Sequence, residues 1–267
     1  MDIAALDGLT LHYRIDGQAD GAPVVFLNSL GTDLRLWDKV LPRLPSGLRL
    51  IRCDTRGHGL SGCPAGPYAM GALVSDVERL LDRLEVRDCV LVGVSLGGMV
   101  AQALAVKRPD QVRALVLSNT AAKIGTREMW EDRMAAAREG GLEALAPAIL
   151  ERWFSRGFRD LPELAGWRAM LVRTPLDGYL GCCAAIAGTD MMAATATLKL
   201  PTLAIAGDQD GSTPPDLVRE TAALIDGAEV TLIRQAGHLP CVEQPDVYAQ
   251  TLIGFLARLG HLGGFHG

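Results

Sequence analysis

Short, almost continuously apolar runs alternate along this chain with longer stretches whose apolar residues recur every three or four positions. The first pattern belongs to strands buried on both faces and the second to amphipathic helices. Leu9–Ile15 alternates around His12 and Arg14, which predicts an exposed early strand. Buried strands are predicted at Val24–Leu27, Leu48–Cys53, Cys89–Val94 and Val112–Leu117, with helices at Leu34–Leu44, Met70–Leu84 and Leu96–Lys107. Pro45–Gly47 and Pro109 supply the helix stops.

From about Ala122 to Leu198 the alternation lapses into Ala-, Arg-, Glu- and Leu-rich helical text that holds three of the four tryptophans. It resumes after Pro201 with a strand at Thr202–Ala206, a helix at Pro215–Ile225, a strand at Glu229–Ile233 and a helix at Val247–Leu259. Strands alternating with helices imply right-handed crossovers and a mostly parallel sheet. Residues 1–121 and 199–267 are therefore expected to complete one α/β core, with 122–198 as a helical insertion. The Gly-rich tail from Gly260 is expected to fray.

Composition narrows the classes. Of 267 residues, 49% are hydrophobic and 21% charged, and the net charge is −5, a globular balance. A mildly acidic chain without a Lys/Arg cluster has no footprint for a phosphate backbone, so no nucleic-acid partner is expected. No apolar run reaches the roughly 18 residues of a membrane span, and Asp2 and Asp7 are unlike a signal peptide. Six cysteines, none in a C-x-x-C, read as reduced thiols of a cytoplasmic protein.

Chemistry concentrates at Gly93-Val94-Ser95-Leu96-Gly97-Gly98, a G-x-S-x-G between a buried strand and a helix. So sharp a turn needs neighbours without bulk, lifts the serine hydroxyl clear of the sheet and aims helix N–H groups at an oxyanion formed there. By itself the motif also fits an ordinary Gly-rich turn; its placement favours a nucleophile. Of five histidines, His238 follows the last predicted strand and is the first candidate base. His58, in a turn after an earlier strand, is the second; His12, His261 and His266 lie in the early strand and the tail. For the orienting acid, Gly207-Asp208-Gln209-Asp210-Gly211 offers Asp208 or Asp210, while the loop after Val112–Leu117 offers only Asn119. Taken singly, each aspartate is more commonly a turn or capping residue.

These motifs, with Asp54-Thr55-Arg56-Gly57-His58-Gly59 and Gly237-His238-Leu239-Pro240, resemble the α/β-hydrolase superfamily from about Thr10 to Arg258. The resemblance implies an α/β-hydrolase fold, a mostly parallel eight-stranded sheet with helices on both faces and a helical cap at 122–198. It also selects Asp210 over Asp208 as the acid. Asn28-Ser29-Leu30-Gly31-Thr32-Asp33 replaces the His-Gly of most relatives, and Glu128–Arg133, Gly140-Gly141-Leu142, Gly178-Tyr179 and Thr213-Pro214-Pro215 echo a narrower group. That group is the 3-oxoadipate enol-lactone hydrolases of aromatic-acid catabolism. It implies hydrolysis of a small anionic lactone by Ser95, Asp210 and His238, with backbone N–H groups of Leu30 and Leu96 as the oxyanion hole. Asn28, Ser29, Trp130, Arg133 and Trp153 are then expected to contact substrate, without metal or organic cofactor. Trp130 and Arg133, three apart on a helix, are expected to share a face, the indole on the lactone ring and the guanidinium on the acetate arm.

Rival readings use the same residues. Ser95 argues against the aspartate nucleophile of haloalkane dehalogenases and epoxide hydrolases. A broader carboxylesterase, a cofactor-free haloperoxidase and a carbon–carbon bond hydrolase share the triad. A non-catalytic binding protein has no need of all three residues.

Overall fold

A computed structural model describes residues 1–262 of the chain. Strands β1 (Asp2–Leu6), β2 (Leu9–Gly17), β3 (Ala22–Leu27), β4 (Leu48–Cys53), β5 (Cys89–Val94), β6 (Val112–Ser118), β7 (Thr202–Gly207) and β8 (Glu229–Ile233) make one sheet. Their order is β1-β2-β4-β3-β5-β6-β7-β8. The first two pairings are antiparallel and the other five parallel. Every residue of the central β5 is buried, which is why it reads as an uninterrupted apolar run.

Helices α1 (Met70–Arg83) and α2 (Leu96–Lys107) pack on each other, and α2 covers β3, β5 and β6. In α1 the buried Leu73, Val74, Val77, Leu80 and Leu81 fall on one stripe, the periodicity that predicted it. Between β6 and β7 the chain inserts α3 (Arg127–Trp153), α4 (Arg156–Arg159), α5 (Leu164–Val172), α6 (Leu176–Ala187) and α7 (Met192–Thr195). Helix α3 is broken at Gly141, whose φ of 67° is left-handed, so it is two helices joined at a kink. After β7 come α8 (Pro215–Ala222) against β7 and β8, then α9 (Pro240–Glu243) and α10 (Pro245–Arg258). Among the described residues, no helix is long and apolar enough to cross a membrane.

Three sequence expectations need correction. Leu34–Leu44 is not an α-helix but two 3₁₀ turns, Leu34–Trp37 and Leu41–Arg43. Pro42 has no N–H to donate and its ring would meet the carbonyl of Asp38 in a continuous helix. The apolar spacing is still used, because Leu34, Leu36, Trp37, Val40 and Leu41 are all buried. His12 is not exposed: β1, joined through Asp7-Gly8 with Gly8 at φ 78°, covers the far side of its strand. The buried His12 ring bonds Asp54 Oδ2 through Nδ1 at 2.7 Å. Nor is the start of the tail loose, since His261 is buried with a ring nitrogen 3.0 Å from the Pro23 carbonyl. His266 and the rest of the expected fraying, 263–267, lie outside the described residues.

All six cysteines are free thiols and five are buried. Burial pushes Cys53, Cys89 and Cys183 up to about 12, so they are neutral at physiological pH.

Asn28, expected to touch substrate, is instead a bracket inside the core. It is 1% exposed, its Nδ2 donates to the Cys53 carbonyl at 2.8 Å, and its Oδ1 accepts from Trp37 Nε1 at 2.9 Å. Trp37 is fully buried against Phe26 and Tyr248 and has no room to seek water. Asn28→Ala should therefore lower thermal stability, by about 1–3 kcal/mol for each partner left unpaired. In a double-mutant cycle with Trp37→Phe the losses should be sub-additive, because that change removes one orphaned donor. Strict additivity in thermal unfolding would show that the bracket is not a coupled unit.

Candidate active site

The turn from β5 into α2 is made by backbone contact. A Cβ on Gly93 would stand 2.4 Å from the Gly97 carbonyl carbon, and one on Gly97 would stand 2.3 Å from the Leu27 carbonyl oxygen. Only hydrogen fits at either position. Between them Ser95 adopts φ 56° and ψ −116°, a strained conformation for a side-chain-bearing residue. Hydrogen bonds pin it: Ser95 N–H donates to the Ser118 carbonyl at 3.0 Å, and its carbonyl accepts from Thr120 Oγ1 at 2.6 Å.

The loops after β6, β7 and β8 converge beside Ser95 on one carboxylate. Asp210 Oδ2 accepts from His238 Nδ1 (2.9 Å), Thr213 Oγ1 (2.7 Å) and Asn119 Nδ2 (2.8 Å). Its Oδ1 accepts from the backbone N–H groups of Ser212 and Thr213 at 2.7 and 3.0 Å. Burial works to raise the Asp210 pKa, but the His238, Asn119 and Thr213 donors outweigh it and hold the carboxyl below the usual aspartate value. Asp208 is exposed and its carboxylate takes the Ala236 N–H instead, so of the two candidates only Asp210 meets the histidine.

With Asp210 ionised, the proton of the buried His238 ring sits on Nδ1 and Nε2 is left as an acceptor. Ser95 and His238 line one cavity of about 60 Å³. Among the described residues, no hydrogen bond joins the Ser95 hydroxyl to His238. Leu30 and Leu96 sit at the same site, and among the described residues neither backbone N–H has an acceptor. For Leu96, at the first position of α2, this follows from helix geometry.

His58 is not a second base. Its Nε2 accepts from the Gly31 N–H at 3.0 Å and its Nδ1 lies 3.1 Å from the Arg56 carbonyl, so both ring nitrogens are occupied.

The inserted helices roof the cavity. Its lining includes Ser29, Trp130, Arg133 and Trp153, four of the residues proposed from sequence to contact substrate, and also Arg152, which sequence reading missed. Arg133 donates through Nε to Tyr179 Oη at 2.8 Å and lies over the rings of Trp130 and Tyr179. One face of Trp130 is thus covered by Arg133, and its Nε1 donates to the Ile124 carbonyl. Arg152 has its pKa lowered by burial and by the neighbouring positive charge of Arg133. No aspartate or glutamate is among the cavity's lining residues. None of the cysteines lines it either, and among the described residues no three His, Cys, Asp or Glu side chains cluster as a metal site.

Asn119 and Thr213 were the other residues not assigned a role from sequence. Thr213 lay within an echoed motif, and Asn119 was set aside because it is not a carboxylate. Their task is to hold the carboxylate.

A larger cleft, about 750 Å³, opens beside His12, Asp33 and Arg173, but neither Ser95 nor His238 lines it. The smaller cavity is the chemical one, because it alone joins the strained serine, the histidine–carboxylate pair and unpaired backbone donors.

Comparison with known proteins agrees with this architecture. The sequence pattern of the alpha/beta hydrolase family matches residues 24–251. The chain is 35% identical to 3-oxoadipate enol-lactonase 2 of Acinetobacter baylyi over 96% of its own length and 97% of that protein's. The crystal structure of the enol-lactonase from Burkholderia xenovorans LB400 superposes with a TM-score of 0.92 at 38% identity, covering 96% of this chain and all of that one. A hydrolase from Pseudomonas aeruginosa PA01 gives 0.91 at 39% identity, covering 96% of this chain and 97% of that one. With the strained serine turn, the sheet order and this family match in agreement, the chain belongs to the alpha/beta hydrolase family.

Proposed function

We propose that this hydrolase opens 3-oxoadipate enol-lactone, a five-membered enol lactone with an acetate arm, to 3-oxoadipate. The carrying observation is the cavity itself: Ser95 and His238 open into a space that holds two arginines and no carboxylate. An anionic substrate suits that balance, because a carboxylate moved out of water must be paired. The kinship with the Acinetobacter and Burkholderia enol-lactonases supports the same choice.

In this reading His238 Nε2 takes the Ser95 proton as Oγ attacks the lactone carbonyl. Asp210 keeps the imidazole in the required tautomer and stabilises the imidazolium. The free N–H groups of Leu30 and Leu96 receive the oxyanion. Collapse breaks the acyl–oxygen bond of the ring, and the leaving enolate takes a proton and becomes a ketone within the acyl-enzyme. Water, deprotonated by His238, then attacks the acyl carbon and releases Ser95. The inserted block serves as a lid: a cavity of about 60 Å³ has room for only a few waters, so substrate access requires the roof to yield. The same triad would serve a general esterase, and substrate comparison separates the two.

Ser95→Ala should abolish turnover of both the enol lactone and p-nitrophenyl acetate while the melting temperature holds. Residual activity above a few per cent in the mutant, on the scale of usual triad losses, would remove Ser95 from the mechanism.

Arg133→Met and Arg152→Met keep stem length and remove charge. Each should raise KM for the enol lactone, by about 1.5–3 kcal/mol where a charge-assisted hydrogen bond is lost, and leave neutral p-nitrophenyl acetate nearly unaffected. Equal effects on both substrates would mean that the arginines only support the roof.

A further inference from the structure

The D-T-R-G-H-G segment after β4 has no part in the chemistry described so far, yet it grips the loop that follows β3. Asp54 Oδ1 accepts the Leu34 N–H at 2.8 Å, and His58 Nε2 accepts the Gly31 N–H at 3.0 Å. The residue immediately before Gly31 is Leu30, whose own N–H has no acceptor among the described residues and which lines the candidate site. We infer that His58 is a positioning residue for the oxyanion hole: its neutral imidazole, by accepting the Gly31 N–H, fixes the direction of the Leu30 N–H. The inference rests on the oxyanion-hole reading given above.

The geometry restricts the protonation state of His58. A backbone N–H can only donate, so Nε2 must carry a lone pair, and the ring proton must sit on Nδ1, facing the Arg56 carbonyl at 3.1 Å. Protonation at Nε2 would set two N–H groups against each other and expel Gly31 from its place. Burial opposes that protonation; the Arg56 carbonyl, Asp54 and Asp33 work the other way, and the net result is a pKa below the ordinary histidine value. The charges nearby are already engaged: Asp54 with His12, Asp33 with Arg35 and Arg56 with Asp76. From the inserted α6, the neutral thiol of Cys182 points at the same Arg56 carbonyl.

Sequence alone placed His58 second as a base, and loss of a base or of an oxyanion donor lowers kcat alike while sparing KM, because both act only in the transition state. Glutamine separates the two roles, since its side-chain oxygen can accept the Gly31 N–H but cannot take a proton.

Three measurements on the full chain test this. In kinetics with p-nitrophenyl acetate, His58→Ala should lower kcat roughly ten- to a hundredfold, less than outright loss of an oxyanion donor can cost, with KM within about twofold. His58→Gln, whose side-chain oxygen reaches the Nε2 position and does not titrate, should recover most of that loss. Matching melting temperatures for the two variants would separate positioning from folding.

The acid side of the pH profile is the second readout. Turnover should fall with a slope of about 1 on the acid side and steepen toward about 2 once His58 protonates. His58→Gln should keep the single slope. Because the folded-state pKa of His58 is depressed, its neutral form also favours folding less and less below the unfolded value of about 6.5. The Gln variant should therefore lose less stability in acid than the wild type.

Nitrogen NMR of the histidine rings supplies a readout independent of activity. At neutral pH His58 should show a protonated Nδ1 and a bare Nε2, and the Gly31 amide should shift as His58 titrates. A protonated Nε2 at neutral pH, or kcat unchanged in His58→Ala, would overturn the assignment, as would equal losses in the Ala and Gln variants. If instead the enol lactone is not hydrolysed but the NMR and p-nitrophenyl acetate results hold, the substrate proposal fails and the role of His58 stands.

Discussion

The site depends on one buried carboxylate that must remain charged. Asp210 lies where water cannot solvate it, and isolated it would be neutral. Five hydrogen-bond donors, from the loops after β6, β7 and β8, replace the lost hydration. Those three loops are thereby fixed to one another. Asn119 shows the cost of the arrangement: it takes φ 46°, left-handed, so that its amide can span Asp210 and the Gly237 carbonyl. Asparagine is among the few side-chain-bearing residues that tolerate that region, and it adds a donor where a second carboxylate would repel.

A second constraint acts on the opposite wall. The Gly97 position that makes the serine turn possible is pressed onto the carbonyls of Leu27 and Asn28, at the end of β3. The next residues of that strand exit are the bracketed Asn28, then Ser29 and Leu30 of the cavity wall. Ser95 and the proposed oxyanion donor are therefore set by a single backbone-to-backbone contact. Asn28, the residue after β3, supplies the partner that the indole of Trp37 and the carbonyl of Cys53 each need inside the core.

Much of this was legible in the sequence, for identifiable reasons. Strands buried on both faces leave uninterrupted apolar runs, as at Cys89–Val94, and the serine turn announces itself because two positions admit only glycine. His238 followed from its place after the last predicted strand, while position alone left Asp208 and Asp210 open and the family resemblance chose Asp210. What failed was reading partners from identity alone. Asn28 beside Ser29 looked like a contact with substrate, since nothing local reveals that Trp37 lies within reach of its amide. His12 looked exposed because β1 was not read, although the Asp7-Gly8 pair marks a hairpin turn. Arg152 was passed over next to Trp153, because which face of a kinked helix meets the cavity is decided by Gly141 and by packing on α5 and α6, not by spacing within α3.

The inserted helices are not uniformly attached. Where α3 ends, the chain is bonded directly to the loop that carries His238: His238 N–H donates to the Trp153 carbonyl at 2.7 Å, and Glu243 ties Gly237 N–H to Ser155 N–H. A Cβ at Gly237 would stand 2.5 Å from the Trp153 carbonyl oxygen, so the two segments touch backbone to backbone. Glu243 is half-buried, and that burial raises its pKa, so these hydrogen bonds are what make its charge tolerable. Movement at Trp153–Ser155 would drag the imidazole with it. The other end of α3 carries Trp130 and Arg133 and is set off by two left-handed glycines, Gly125 and Gly141. Its polar ties to the rest of the inserted block run through single contacts such as Arg133 to Tyr179. The segment between those glycines, which carries Arg133, is thus the part of the roof with the fewest polar ties to the loop that carries His238, whereas Arg152 lies next to the backbone that holds it.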